Sequence, residues 1–252
     1  MNREPMDPQR ELAAQLGLVG LLAHWEELPE PTRRQLLDWE DQTRRQRSLS
    51  RRLSATRVGA FKPMADFDWT WCPQLDRAQV EELLTLDFVR NGCNAVLRGP
   101  SGTGKTMLAK NLVHLAVVAG YTARLVTASD LLRDLAEQPS AKARHRRLRH
   151  YAAPDLLAID EVGYLSYDNR YADLLYEVVN FRYQKKSTLV TTNRPFSTWP
   201  DIFPNETTVM VLAERLTHHA ELVVFEGESW RVREARQERE ERALRRTTRG
   251  RG

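Results

Sequence analysis

The segment Gly99-Pro100-Ser101-Gly102-Thr103-Gly104-Lys105-Thr106 decides the reading of this chain. Its spacing is G-x-x-x-x-G-K-[ST], that of a loop which cradles phosphate. Asn94 to Arg98, just before it, is short and partly apolar, as a buried strand is. After it, Met107, Leu108, Leu112, Leu115 and Ala119 recur at helical spacing. Strand, glycine turn and helix start are what the chemistry requires. The glycines let backbone N–H groups turn onto an anion without a Cβ clash. The helix N-terminus adds unpaired donors and a partial positive charge. The run from Gly99 to Met107, with Pro100, Ser101, Gly102, Thr103 and Gly104 inside it, is therefore the candidate nucleotide cradle. Lys105 is placed to reach the β- and γ-phosphates and the Thr106 hydroxyl to ligate Mg²⁺. ATP and Mg²⁺ are the expected cofactors.

Downstream, Asp155-Leu156-Leu157-Ala158-Ile159-Asp160-Glu161 is an apolar strand ending in two carboxylates. Asp160 is the candidate Mg²⁺ partner and Glu161 the group that polarises the attacking water. A further strand-helix unit, Ala123 to Thr127 and then Leu131 to Leu135, lies between the phosphate loop and these carboxylates. Such an insertion marks the additional-strand class of NTPases. Ser187 to Thr192 reads as a β-branched strand ending at Asn193, beside the carboxylate strand and near the γ-phosphate, the sensor 1 position. Helices are expected over Arg77–Arg90, Tyr171–Tyr183 and Val209–His219, and a last strand over Leu222–Phe225.

Residues 1–60 read as a small helical module, with one amphipathic helix from Glu11 to Trp25 and a second from Thr32 to Arg47. Residues 61–75 read as an extended linker whose aromatics, Phe61, Phe67, Trp69 and Trp71, pack on the next domain. The ATPase core is expected over 76–235 and a charged, disordered tail over 236–252. Between Arg44 and Lys62 the chain carries Arg44, Arg45, Arg47, Arg51, Arg52 and Arg57 with no acid. A second acid-free stretch, Ser140 to Ala153, carries Lys142, Arg144, Arg146, Arg147 and Arg149. Each is either a solvated helix face or a surface for nucleic-acid phosphates. His145 and His150 stand in the second stretch without a carboxylate or thiol, which argues against a metal site there.

A length of 252 residues holds one α/β domain and a small appendage, and 41% hydrophobic residues suffice for its core. A net charge of +4 says little about partners as a global figure. Cys72 and Cys93 lack metal spacing and predict free thiols in a reducing cytoplasm. No apolar run reaches membrane-spanning length.

Taken together, Arg98-Gly-Pro-Ser-Gly-Thr-Gly-Lys-Thr106, Leu156-Leu-Ala-Ile-Asp-Glu-Val-Gly163, Thr191-Thr-Asn-Arg-Pro195 and Ala213-Glu-Arg-Leu-Thr-His-His219 closely resemble the IstB-like transposition helper ATPases. Val224-Phe-Glu-Gly-Glu-Ser-Trp-Arg231 and the entry segment Phe67 to Leu86 fit as well. DnaC-type helicase loaders share much of the pattern. The resemblance implies a three-layer α/β AAA+ ATPase of an insertion sequence that assembles on double-stranded DNA as a homo-oligomer and stimulates a partner transposase. It also implies that Arg215 is an arginine finger reaching a neighbouring subunit's nucleotide; from the residues alone Arg215 is a surface arginine on a helix. Many members have Asp where Glu214 stands. Few residues follow Arg233, so no helical lid carrying a sensor 2 residue is expected, and Arg231 and Arg233 are the nearest arginines to that role. No transposase-like carboxylate set is present, so strand cutting is expected from the partner. Three other readings remain: a helicase loader, a nucleotide-gated DNA-binding module with little hydrolysis, and a small-molecule P-loop kinase.

Overall fold

Asp7 starts the first helix by accepting the Gln9 N–H, with Pro8 in the first turn, where its missing N–H costs nothing. A computed structural model describes residues 7–70, 72–164, 169–203, 206–230, 232–236 and 239. Trp71 and Arg231, and all of the predicted tail except Arg236 and Arg239, lie outside the described residues. The chain divides into two compact units, Met1–Arg52 and Leu53–Gly252.

In the first unit, α1 (Pro8–Gln15) and α2 (Val19–Ala23) replace the single helix expected from Glu11 to Trp25. Gly17, at φ +63°, turns the chain between them, a conformation that glycine adopts without Cβ strain. Ala13, Leu16, Trp25 and Leu37 form the small core. The Arg33 guanidinium lies 4.8 Å from the Trp25 ring and donates to the Trp25 carbonyl at 2.8 Å. Next, α3 (Glu30–Thr56) is longer than expected at both ends. Pro31 sits in its first turn and so does not break it.

In the second unit the last residues of α3 are followed by a strap. Lys62 and Met64 bond through their backbones to the Asn111 side chain at 2.9 and 3.0 Å, and Phe61 packs on His114. Then come α4 (Arg77–Leu84), capped by Asp76, and α5 (Asp87–Arg90). The two were expected as one helix, but Leu86, at φ +63°, separates them. Alternation follows: β1 (Asn94–Arg98), α6 (Lys105–Val118), β2 (Ala123–Thr127), α7 (Ala128–Ala136), α8 (Ala141–Ala152), β3 (Leu156–Val162), α9 (Asn169–Arg182), β4 (Ser187–Thr192), α10 (Glu206–Thr217) and β5 (Ala220–Val224). Thr127 caps α7 through the Asp130 N–H.

All strand pairs are parallel, in the order β2-β3-β4-β1-β5. Helix α6 packs on β1 to β4, while α7, α9 and α10 cover the opposite face. Parallel strands buried on both faces read as continuous apolar runs, as Leu156–Ile159 does. The strand that intervenes in sequence between the phosphate loop and the carboxylates, β2, lies at the sheet edge. The strand between them in space is β4, which follows both in sequence and pairs with β1 and β3.

At the far end of this sheet, Arg182 is 1% exposed. Its guanidinium donates to the carbonyls of Tyr151, Ala152, Pro154, Asp155 and Ser187 and to the Thr188 hydroxyl. Burial pushes its pKa down to about 9, so the side chain stays charged at neutral pH. It ties the end of α8 to the starts of β3 and β4. Arg182→Met leaves these carbonyls without a donor, at ~1–3 kcal/mol for each one left buried. We predict a loss of stability of about 3 kcal/mol or more, read as a lower urea midpoint. A shift below about 1 kcal/mol would show that water replaces the guanidinium.

Candidate functional site

Chain direction places the site. In a parallel sheet all C-terminal strand ends lie together, and ligands bind in the crevice outside them. There β1 runs into the phosphate loop and Lys105 opens α6, with Gly104 at the cap at φ +105°. The loop is built tightly. A Cβ on Gly99 would run into the Phe225 carbonyl oxygen, and one on Gly102 into the Ser229 hydroxyl. The Phe225 N–H donates to Arg98 O at 2.7 Å and the Trp230 N–H to Gly102 O at 2.9 Å. The segment after β5 thus lies against the loop. Thr103 is buried and donates to Pro100 O at 2.9 Å, and the Ser101 hydroxyl donates to Tyr164 Oη at 3.4 Å. Lys105 Nζ folds back onto the carbonyls of Gly99 and Pro100 at 2.7 and 2.6 Å.

Beside the loop is a cleft of about 320 Å³ whose walls include Phe67, Gly104, Met107 and Trp230. The strap supplies Phe67, so one predicted linker aromatic packs on the core at the phosphate loop itself. Trp69 packs edge-on against Phe67 with ring centroids 5.0 Å apart.

On the other side of Thr106, the carboxylates at the end of β3 meet β4. Asp160 is buried and accepts hydroxyl hydrogen bonds at Oδ1 from Thr106, at 3.1 Å, and from Thr191. The Thr191 hydroxyl also accepts the Glu161 N–H at 2.9 Å. Glu161 is exposed at φ +61°, where β3 breaks register with β4. That left-handed backbone is unusual for a glutamate and turns its side chain out of the sheet. Asn193 follows β4 directly and is exposed at the same end. Thr191 was not singled out by sequence reasoning, although it opens the quoted Thr191-Thr-Asn motif. A hydroxyl beside a carboxylate fits Mg²⁺, which takes one or two protein oxygens and completes its shell with phosphate and water. Among the described residues no group of three His, Cys, Asp or Glu side chains gathers.

A wider cavity of about 620 Å³ opens from this point, lined by Thr106, Asp160 and Glu161 and by Arg57, Lys110 and Arg147. Arg147 is thus turned inward. It and Tyr151 both donate to Asp134 Oδ2 at 2.5 Å. Burial and the bond to Asp134 push the Tyr151 phenol up to about 12, so it remains a neutral donor. Lys142 and Arg146 are exposed on α8, and Arg144 is half-exposed. In the first unit Arg44 and Arg45 pair with Glu40 and Asp41 one turn earlier, at 2.5 and 2.8 Å, whereas Arg47 and Arg51 are exposed; Arg52 is half-buried.

Arg215 is not gathered into the site of its own chain. Its carbonyl and that of Leu216 accept from the Asn94 side-chain amide, at the start of β1. It therefore lies at the N-terminal end of the strand whose other end carries Gly99, and five residues at ~3.3 Å each separate those ends.

A profile described as IstB-like ATP binding protein matches residues 20–238. The chain belongs to this family. It is 33% identical over 205 residues to the ATP-binding protein of insertion sequence IS5376 from Geobacillus stearothermophilus, covering 81% of this chain and 82% of that one. It is 34% identical to the IS21 ATP-binding protein of Pseudomonas aeruginosa, over 77% of this chain and 73% of the relative. Among solved structures it resembles DnaI, with a TM-score of 0.56 and 17% identity over 67% of this chain and 92% of that chain. It also resembles AMPPCP-bound DnaA from Aquifex aeolicus, with a TM-score of 0.55 and 22% identity over 68% of this chain and 51% of that one. At these identities the likeness concerns the fold alone, a three-layer α/β arrangement with helices on both faces of a parallel sheet. No helix among the described residues is long and apolar enough to cross a membrane.

The close seating of the loop gives a test. Gly99→Ala requires the Phe225 backbone to move, in addition to the ~1–3 kcal/mol of strain at positive φ. Gly120→Ala, at φ +101° with open space around it, carries the strain alone. We predict a clearly larger drop in melting temperature for Gly99→Ala, and equal drops would show that Phe225 yields freely.

Proposed function

We propose that this family member is a Mg²⁺-dependent, cytoplasmic ATPase that assembles on duplex DNA as a homo-oligomer and stimulates a partner transposase. The observation that carries the enzymatic part is the hydroxyl-bridged Asp160, with Thr106 on the phosphate-loop side, Thr191 on the β4 side and Glu161 next in chain. The insertion-sequence names of its 33–34% identical relatives support the transposition part.

The base of ATP enters the cleft between Phe67 and Trp230, and the phosphates meet the N–H groups of Gly102 to Thr106. Lys105 exchanges the Gly99 and Pro100 carbonyls for phosphate oxygens, which couples nucleotide binding to the shape of the loop. Thr106 and Asp160 would hold Mg²⁺, which offsets charge building on the phosphate oxygens. Glu161 orients water and draws off its proton, and Asn193 contacts the γ-phosphate. Arg215, one strand length from its own loop, serves the nucleotide of a neighbouring copy. The Thr217-His218-His219 and Phe225-Glu226-Gly227-Glu228-Ser229 segments favour the transposition helper over the helicase loader. Glu161 argues against a module that only binds nucleotide, and the Asp160-Glu161 pair against a small-molecule kinase.

Lys105→Ala is expected to abolish ATP binding, whereas Glu161→Gln retains it and loses hydrolysis, because Glu161 acts on water. Nucleotide-binding and turnover assays on both variants check this, and wild-type turnover in Glu161→Gln removes the residue from the mechanism.

For DNA, the exposed face of α8 and the exposed arginines of α3 are the candidate surfaces. Replacing Arg144 and Arg146 with Gln is expected to weaken duplex binding. It should also flatten the log–log salt dependence by ~0.9 for each phosphate that is no longer neutralised. Arg147→Gln instead takes a donor from Asp134 and is expected to lower stability more than it changes the salt slope. An unchanged slope in the Arg144/Arg146 variant would make that face solvated only, and Arg47 and Arg51 would be tested next.

A further inference from the structure

Arg215 is held in a cage of side chains from one helix. Tyr176, Asn180 and Tyr183 are spaced four and three residues apart, which stacks them on one face of α9 and its last turn. Tyr183 continues that turn through its N–H bond to Val179 O at 2.9 Å. The Arg215 guanidinium carbon lies 5.0 Å from the Tyr176 ring centre and 5.2 Å from that of Tyr183. One terminal nitrogen donates to Asn180 Oδ1. The Tyr183 hydroxyl is bonded to His218 Nδ1 at 2.9 Å, one turn beyond Arg215.

An arginine loses much rotamer freedom when it is fixed, and a long side chain aimed at a site in another molecule bears that loss at assembly. Ring faces on the guanidinium plane restrict its tilt but leave edge N–H groups free for an anion. Among the described residues the side-chain acceptor at its edge is the neutral Asn180 amide, which is weaker than a carboxylate and so yields to a phosphate. A carboxylate in that position would hold the cation back.

We propose that Tyr176, Asn180 and Tyr183 are positioning residues that pre-organise Arg215 for the nucleotide of a second copy of this chain. The proposal rests on the reading of Arg215 as a finger acting between copies. The two ring faces carry it, and the Tyr183–His218 bond is secondary.

The test measures DNA-stimulated ATP hydrolysis and ATP affinity with the full chain. The double variant Tyr176→Leu/Tyr183→Leu is expected to bind ATP as the wild type does and to hydrolyse it at least tenfold more slowly. Tyr183→Phe keeps the stacking face and should stay within about twofold of wild type. Subunit mixing then separates positioning from damage. Mixed with Lys105→Ala subunits, whose cage and Arg215 are intact, the double variant should regain part of its turnover. Mixed with Arg215→Ala subunits, which bring no finger, it should not. Wild-type turnover in the double variant would overturn the proposal. So would failure to recover with Lys105→Ala subunits while light scattering shows co-assembly, since the loss would then be structural. If the double variant does not fold, Asn180→Ala and Tyr176→Leu singly are read in the same mixtures by the same criteria. Full turnover in Arg215→Ala alone removes the finger reading itself. A slow Arg215→Ala with fast cage variants removes only the cage.

Discussion

The Asp160 carboxylate is the joint on which the nucleotide end of the molecule depends. It is buried, and two hydroxyls reach one of its oxygens, Thr106 from the helix after the phosphate loop and Thr191 from β4. A buried carboxylate needs such donors, because an unpartnered one costs far more than the bonds return. Meeting that need draws the ends of β1, β3 and β4 to one point. Thr191 also takes the Glu161 N–H, so the same hydroxyl sets the left-handed turn that carries Glu161 out of the sheet.

The phosphate loop is held from both ends of the second unit. The strap between α3 and α4 lies along α6 through Asn111 and brings Phe67 against Gly104, while the segment after β5 bonds Gly102 O through the Trp230 N–H. Both depend on glycines that leave room for a ring or a backbone at van der Waals distance. A change in the shape of the loop is therefore felt by the strap and by the chain after β5 together.

The opposite end of the sheet is built on a different chemistry. There Arg182 satisfies a group of strand-start and helix-end carbonyls, and Asn94 joins the end of α10 to β1 and, through its acceptor oxygen, to the Thr188 N–H of β4. Arg215 is anchored at that end and caged by α9. One short strand separates the phosphate loop from the arginine proposed to act on the nucleotide of a second copy.

The motifs of the candidate site were legible in the chain because each is local. Glycine spacing in Gly99 to Lys105, the apolar run ending in Asp160-Glu161 and the β-branched run ending at Asn193 all report backbone needs met by neighbouring residues. Family resemblance drew attention to Arg215, which the residues alone leave as a surface arginine. Local spacing also misled. It joined α1 to α2 and α4 to α5, because periodicity does not register a single positive φ at Gly17 or Leu86. By itself, then, the sequence determined a phosphate loop, two carboxylates and a layered α/β fold. Only the tertiary structure decided that Thr191 bridges Asp160 and Glu161, that Phe67 and Trp230 flank the loop, that Arg147 turns inward and that α9 cages Arg215. These contacts join residues tens of positions apart, and packing of the layers, not local preference, chooses which of them meet.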